Sequence, residues 1–147
     1  MIQLHQDFKE FLKLLNSNNV EYLIVGGYAV AYFGYPRSTG DLDIWVPNDL
    51  SNSQKLVSAL KDFGFNVPAL SKELFVKKEQ VIRMGNPPIR IEILTSVSGI
   101  EFQECFQNKV EDYFDGIKVK IISLENLKKN KKAASRYKDL NDLENLP

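Results

Sequence analysis

The sequence holds one cysteine, Cys105, and one histidine, His5. A lone cysteine excludes an internal disulfide and a cysteine-built zinc site, and suits a reducing compartment. Lying between Phe102 and Phe106, it is expected to be a buried, inert thiol. The single histidine sits beside Gln6 and Asp7 at the start of an amphipathic segment, where an exposed ring is expected, so chemistry that needs an imidazole base has almost nothing to work with. Net charge is also absent. Nineteen basic residues balance nineteen acidic ones, which argues against a whole-protein field tuned for long nucleic acids or anionic membranes. No run approaches the roughly 18 apolar residues that mark a membrane span, and MIQLHQDFKEF lacks a basic segment followed by a continuous apolar one. The expectation is a soluble, cytoplasmic protein without a membrane partner. There is no G-x-G-x-x-G or G-x-x-x-x-G-K-[ST] phosphate loop, no internal repeat and no low-complexity tract.

With 44% apolar residues, the 147-residue chain can bury a real core, and one domain over 1–147 is expected, with 123–147 a helical segment packed on it. Leu4, Phe8, Phe11, Leu12 and Leu15 recur at helical spacing, and Asn16 to Asn19 stop the helix. Asp49 or Ser51 is placed to cap a helix with the stripe Leu56, Leu60 and Phe63, ended by Gly64. Leu74 to Val76 reads as a short helix or strand. Val81 to Met84 and Arg90 to Leu94 form a hairpin around Gly85 to Pro88, and Ser98 is expected to cap a helix running to Phe106. Asp115–Gly116 predicts a type I′ turn between two strands. Ser123 is an N-cap, and Tyr137, Leu140, Leu143 and Leu146 are spaced as a helical stripe.

The informative stretch is Tyr22 to Val46, YLIVGGYAVAYFGYPRSTGDLDIWV. A short buried strand meets Gly26–Gly27, where backbone amides can approach a ligand closely, and a brief helix follows, closed by Gly34 and Pro36. In the next strand the period of two puts Asp41 and Asp43 on one face and Leu42, Ile44 and Val46 on the other. Like charges side by side are unfavourable unless water or a cation neutralises them, and hard divalent cations take oxygen ligands. Glu92, in the alternating RIEIL run, supplies a third carboxylate if its strand lies alongside. Arg37, Ser38 and Thr39 stand just before the acids, and the run Lys128 to Lys138 is either a solvated helix surface or a phosphate contact.

Strand, Gly-Gly, helix, D-x-D after thirteen intervening residues, and a lone carboxylate on a later strand together resemble the minimal nucleotidyltransferase superfamily. Small AbiE-type toxin nucleotidyltransferases and lincosamide nucleotidyltransferases are the nearest types. The resemblance implies an α/β (α+β) nucleotidyltransferase fold with a mixed β-sheet flanked by helices. It implies that Gly26 and Gly27 hold a triphosphate, that Asp41 and Asp43 bind Mg2+ or Mn2+, and that Glu92 bridges to a metal and helps deprotonate the acceptor. Lys131 approaches the nucleotide phosphates in this reading, with Arg136, Lys138 and Asp139 nearby, and Arg37 and Thr39 either contact substrate or hold the carboxylate strand in place.

The expected function is transfer of an NMP group from an NTP to a hydroxyl of an unidentified small-molecule, protein or tRNA acceptor, with release of pyrophosphate. Antibiotic-modifying relatives are expected to carry a substantial extra acceptor region, for which this chain has little room. The acceptor site then forms across a homodimer, or the acceptor is a macromolecule. The alternative is a non-catalytic nucleotide-binding or toxin–antitoxin-type regulatory protein.

Overall fold

The computed structural model describes residues 2–36, 40–66, 68–86 and 88–147. Six strands form one mixed sheet in the order β3-β4-β2-β1-β6-β5. They are β1 (Leu23–Val25), β2 (Asp41–Trp45), β3 (Val81–Asn86), β4 (Ile89–Leu94), β5 (Val110–Phe114) and β6 (Ile117–Ile121). β2 runs parallel to β4 and antiparallel to β1, while β1 runs parallel to β6. Helices α1 (Gln6–Ser17), α2 (Gly26–Tyr32), α3 (Leu50–Asp62), α4 (Phe102–Gln107), α5 (Leu124–Ala134) and α6 (Tyr137–Asn145) flank it. This is the mixed α/β arrangement that the family resemblance implies. None of the helices among the described residues is long and apolar enough to cross a membrane.

The local chemistry explains the order of elements. The α1 stripe Phe8, Phe11, Leu12 and Leu15 is fully buried, and His5 accepts a hydrogen bond from the Asp7 amide at the helix start, on the surface. Asp49, one of the two candidate caps, accepts from the Asn52 N–H at 2.7 Å and starts α3. The buried Asn52 side chain then bonds both backbone groups of Glu21, tying α3 to the approach of β1. Asp115 and Gly116 both have positive φ, 51° and 82°, as the type I′ hairpin requires. Ser123 caps α5 through the Asn126 N–H. Cys105 is buried, and burial pushes its thiol up to about 11, which keeps it protonated and unreactive.

Of the two readings left open for Leu74 to Val76 the helical one holds: Leu74 and Phe75 lie in a 3₁₀ turn, Lys72–Phe75, with Val76 as its C-cap. Another expectation needs correction. The helix expected from Ser98 begins at Phe102 instead, with Glu101 as its cap. The C-terminal helix forms with its apolar stripe partly packed: Tyr137 is 95% exposed and Leu140 is exposed, Leu146 is buried, and Asp139 and Asp142 are buried as well. Lys131 on α5, itself buried, draws the two aspartates in, because its ammonium needs counter-charge and lies within 3.3 Å of both.

Candidate active site

Strand pairing assembles the acids. In the parallel β2–β4 ladder Asp43 is the register partner of Glu92, and Asp41 that of Arg90. Leu42, Ile44, Ile91 and Ile93 are buried, so alternation leaves the three carboxylates together on the other face. Asp41, Asp43 and Glu92 each offer an oxygen within 4.8 Å of the others. They line a cavity of about 850 Å³ together with Gly26, Gly27, Lys131, Arg136 and Lys138.

The glycine turn touches the acids directly. Gly26 has φ +67°, a left-handed conformation open to glycine, and a Cβ there would stand 2.0 Å from Asp43 Oδ2. No side chain fits between the turn and the carboxylate. Gly26→Ala is therefore expected to displace Asp43, lowering any activity at least tenfold and costing about 1–2 kcal/mol from the left-handed backbone alone. Kinetics and thermal denaturation of the variant check both effects.

The electrostatics are those of a site short of positive charge. Burial, then Glu92, then Asp41 push the Asp43 carboxyl up to about 7, with Lys138 acting in the opposite direction. Asp43 Oδ1 is buried without a hydrogen-bond partner. Three oxygens from hard carboxylates, one of them orphaned, fit a divalent cation such as Mg2+ or Mn2+.

Two residues that sequence reasoning did not single out complete the cluster. Arg90 Nη2 lies 2.8 Å from Asp41 Oδ2 and 3.4 Å from Glu92 Oε1, and Arg83 Nε lies 3.0 Å from Glu92 Oε1. Strand alternation puts Arg90 on the acid face, so it was visible in RIEIL. Arg83 depended on the β3–β4 register, which sets it opposite Glu92.

The cationic residues fall into two groups. Lys131 lines the cavity, but its Nζ is held by Asp139 at 3.3 Å and Asp142 at 3.1 Å. Arg136 is largely exposed and fastened to Asp139 at 2.6 Å. Burial would raise the Asp139 carboxyl, but its bonds to Arg136 and Lys131 prevail and hold it below the ordinary value. Lys138 is exposed and close enough to bias Asp43. Arg37, Ser38 and Thr39 lie outside the described residues.

Two solved structures share this architecture. The lincosamide antibiotic adenylyltransferase LnuA, crystallised with lincomycin bound, is similar with a TM-score of 0.57 and 16% identity, over 99% of this chain and 97% of LnuA. The protein TM1012 from Thermotoga maritima, whose assignment as a nucleotidyltransferase is itself an inference, is similar with a TM-score of 0.57 and 16% identity over 93% of this chain and 84% of its own. At that identity the likeness concerns the fold. No curated protein sequence matches the chain. Residues 4–147 match the family described as "Nucleotidyl transferase of unknown function (DUF2204)", and the chain belongs to that family.

Proposed function

We propose that the protein transfers a nucleoside monophosphate from a nucleoside triphosphate to a hydroxyl group, in a reaction that depends on Mg2+ or Mn2+. The observation that carries this reading is the convergence of Asp41, Asp43 and Glu92 on one sheet face against the Gly26 turn. Asp41, Asp43 and Glu92 would hold the cation, which when bound supplies charge compensation on the phosphoryl oxygens. The chain's own groups do the rest. The Gly26–Gly27 backbone leaves room for phosphate at the floor of the cavity, and Lys138 and Arg136 at its rim offset the charge of the departing pyrophosphate. The acceptor oxygen bonds to the α-phosphorus as the bond to the pyrophosphate oxygen breaks, and Glu92 takes the hydroxyl proton.

The test is incubation with each of the four labelled triphosphates, Mg2+ or Mn2+ and a cell extract, followed by a search for a labelled acceptor. Metal-dependent label transfer that falls about 10³-fold or more in Asp41→Ala is expected. Absence of transfer with every triphosphate would remove the enzymatic reading.

One observation favours a second reading. Arg83 and Arg90 already neutralise part of the carboxylate cluster, as suits a nucleotide-binding or regulatory protein that no longer turns over. In that case triphosphate binds without transfer, and the same assay combined with equilibrium binding separates the two.

A further inference from the structure

After Asp41 and Asp43, the next position on the same face of β2 is Trp45, the sole tryptophan. Its ring packs edge-on against Phe102 at 5.2 Å, and its indole N–H is buried without a hydrogen-bond partner. Trp45 lines a second cavity of about 640 Å³, whose apolar wall also includes Pro47, Ile100 and Phe102. The two cavities are neighbours, because Glu79 and Ser96 line both. Glu79 stands at the boundary in a left-handed conformation, φ 57°. Thr95 clamps the turn that carries it. The Thr95 hydroxyl accepts from the Gln80 N–H at 2.9 Å and donates to the Lys77 carbonyl at 2.8 Å.

The indole Nε1 is itself closed to solvent, so what the cavity offers a ligand is its apolar wall and the charged side chains around it. The charged side chains around the cavity are Asp49, Glu79 and Glu101 against Lys78, an excess of acid. Asp49 and Glu101 are fixed in place as helix caps.

Resting on the nucleotidyl-transfer reading above, we propose that this cavity is the acceptor subsite and that the acceptor is a small molecule combining an apolar ring, a cationic amine and a hydroxyl. The ring packs on Trp45, Ile100 and Phe102, and the amine meets the surrounding carboxylates. The hydroxyl passes between Glu79 and Ser96 toward Asp43 and Glu92. The same carboxylates repel anionic acceptors.

Because Trp45 is the sole tryptophan, its fluorescence reports occupancy without metal, nucleotide or turnover. L-Phenylalaninol, N-acetyl-L-phenylalaninol and L-3-phenyllactate share a ring and a hydroxyl and differ in charge. Phenylalaninol is expected to change Trp45 emission saturably with a millimolar dissociation constant, and the neutral analogue to bind about fivefold more weakly. Phenyllactate should produce no saturable change. Ile100→Lys should abolish the phenylalaninol response, and Glu79→Gln should narrow the preference for the cation, with circular dichroism confirming that both variants are folded. Equal binding of all three probes, or saturable binding of none, overturns the subsite. Nucleotidyl transfer to some acceptor without phenylalaninol binding would overturn this proposal alone. Binding with no transfer under any condition would overturn the reaction reading and, with it, the acceptor role.

Discussion

Asp43→Asn is expected to yield a protein that is more stable without metal and inactive with it. The Asp43 carboxyl titrates at about 7, well above its ordinary value, because it is buried beside Glu92 and Asp41. A group whose folded pKa is raised favours folding while it is protonated. That contribution is complete below the unfolded value near 4 and is lost as the pH rises through about 7. Above pH 7 the metal-free wild type carries an ionised, half-buried carboxylate whose Oδ1 lacks a hydrogen-bond partner among the described residues. Asparagine removes the charge at nearly constant shape. It should therefore stabilise the metal-free protein at pH 8 by about 2–4 kcal/mol, a rise in melting temperature of roughly 5–10 °C, and have little effect near pH 4. Adding Mn2+ should reverse the order. A cation that binds the folded state alone raises the melting temperature of the wild type in proportion to the logarithm of its concentration, and Asp43→Asn should lose most of that response together with activity. Thermal melts at pH 4 and pH 8, with and without Mn2+, check the prediction. A variant less stable than the wild type at pH 8 without metal would contradict it.

The same residues show how far the sequence could be read. The acid pair was legible because a strand's period of two is short and strict: once Leu42 and Ile44 are inward, Asp41 and Asp43 have one place to go. Glu92 was legible for the same reason, and adjacency of its strand needed only one further assumption, which the β2–β4 ladder satisfies. The Asp115–Gly116 turn was legible because few dipeptides adopt two successive positive φ values. Arg83 was not, because its pairing with Glu92 depends on hairpin register, and Gly85 extends β3 past the point where the turn was expected. Trp45 was hidden inside an apolar run, where a cavity wall and a core position read alike. In the C-terminal helix the apolar stripe was legible, but not that Tyr137 and Leu140 stay exposed while Asp139 and Asp142 are buried, because that depends on the buried Lys131.

That lysine is the basis of the second large effect. Lys131→Met should destabilise the protein by about 3–5 kcal/mol, the usual cost of removing one partner from a buried ion pair. Asp139 and Asp142 are each 1% exposed, and Lys131, 4% exposed, is the cation the two share. Arg136 still serves Asp139 after the substitution, and both buried carboxylates lose the ammonium they share. Neutralising Asp142 removes one of those two charges and should repair part of the damage. Lys131→Met combined with Asp142→Leu is expected to recover about half of the lost stability or more, since an apolar pair of similar volume can replace a buried ion pair at little cost. Urea denaturation of both single variants and the double variant measures the coupling. The double variant also separates fold from chemistry, because an ammonium has three donors and the two aspartates occupy two. Lys131 also lines the cavity, and a third N–H offered to the triphosphate would make it a phosphate contact as well as the residue that docks α6 on α5. The refolded double variant should then show a raised KM for the triphosphate, whereas an unchanged KM would restrict Lys131 to holding the two helices together.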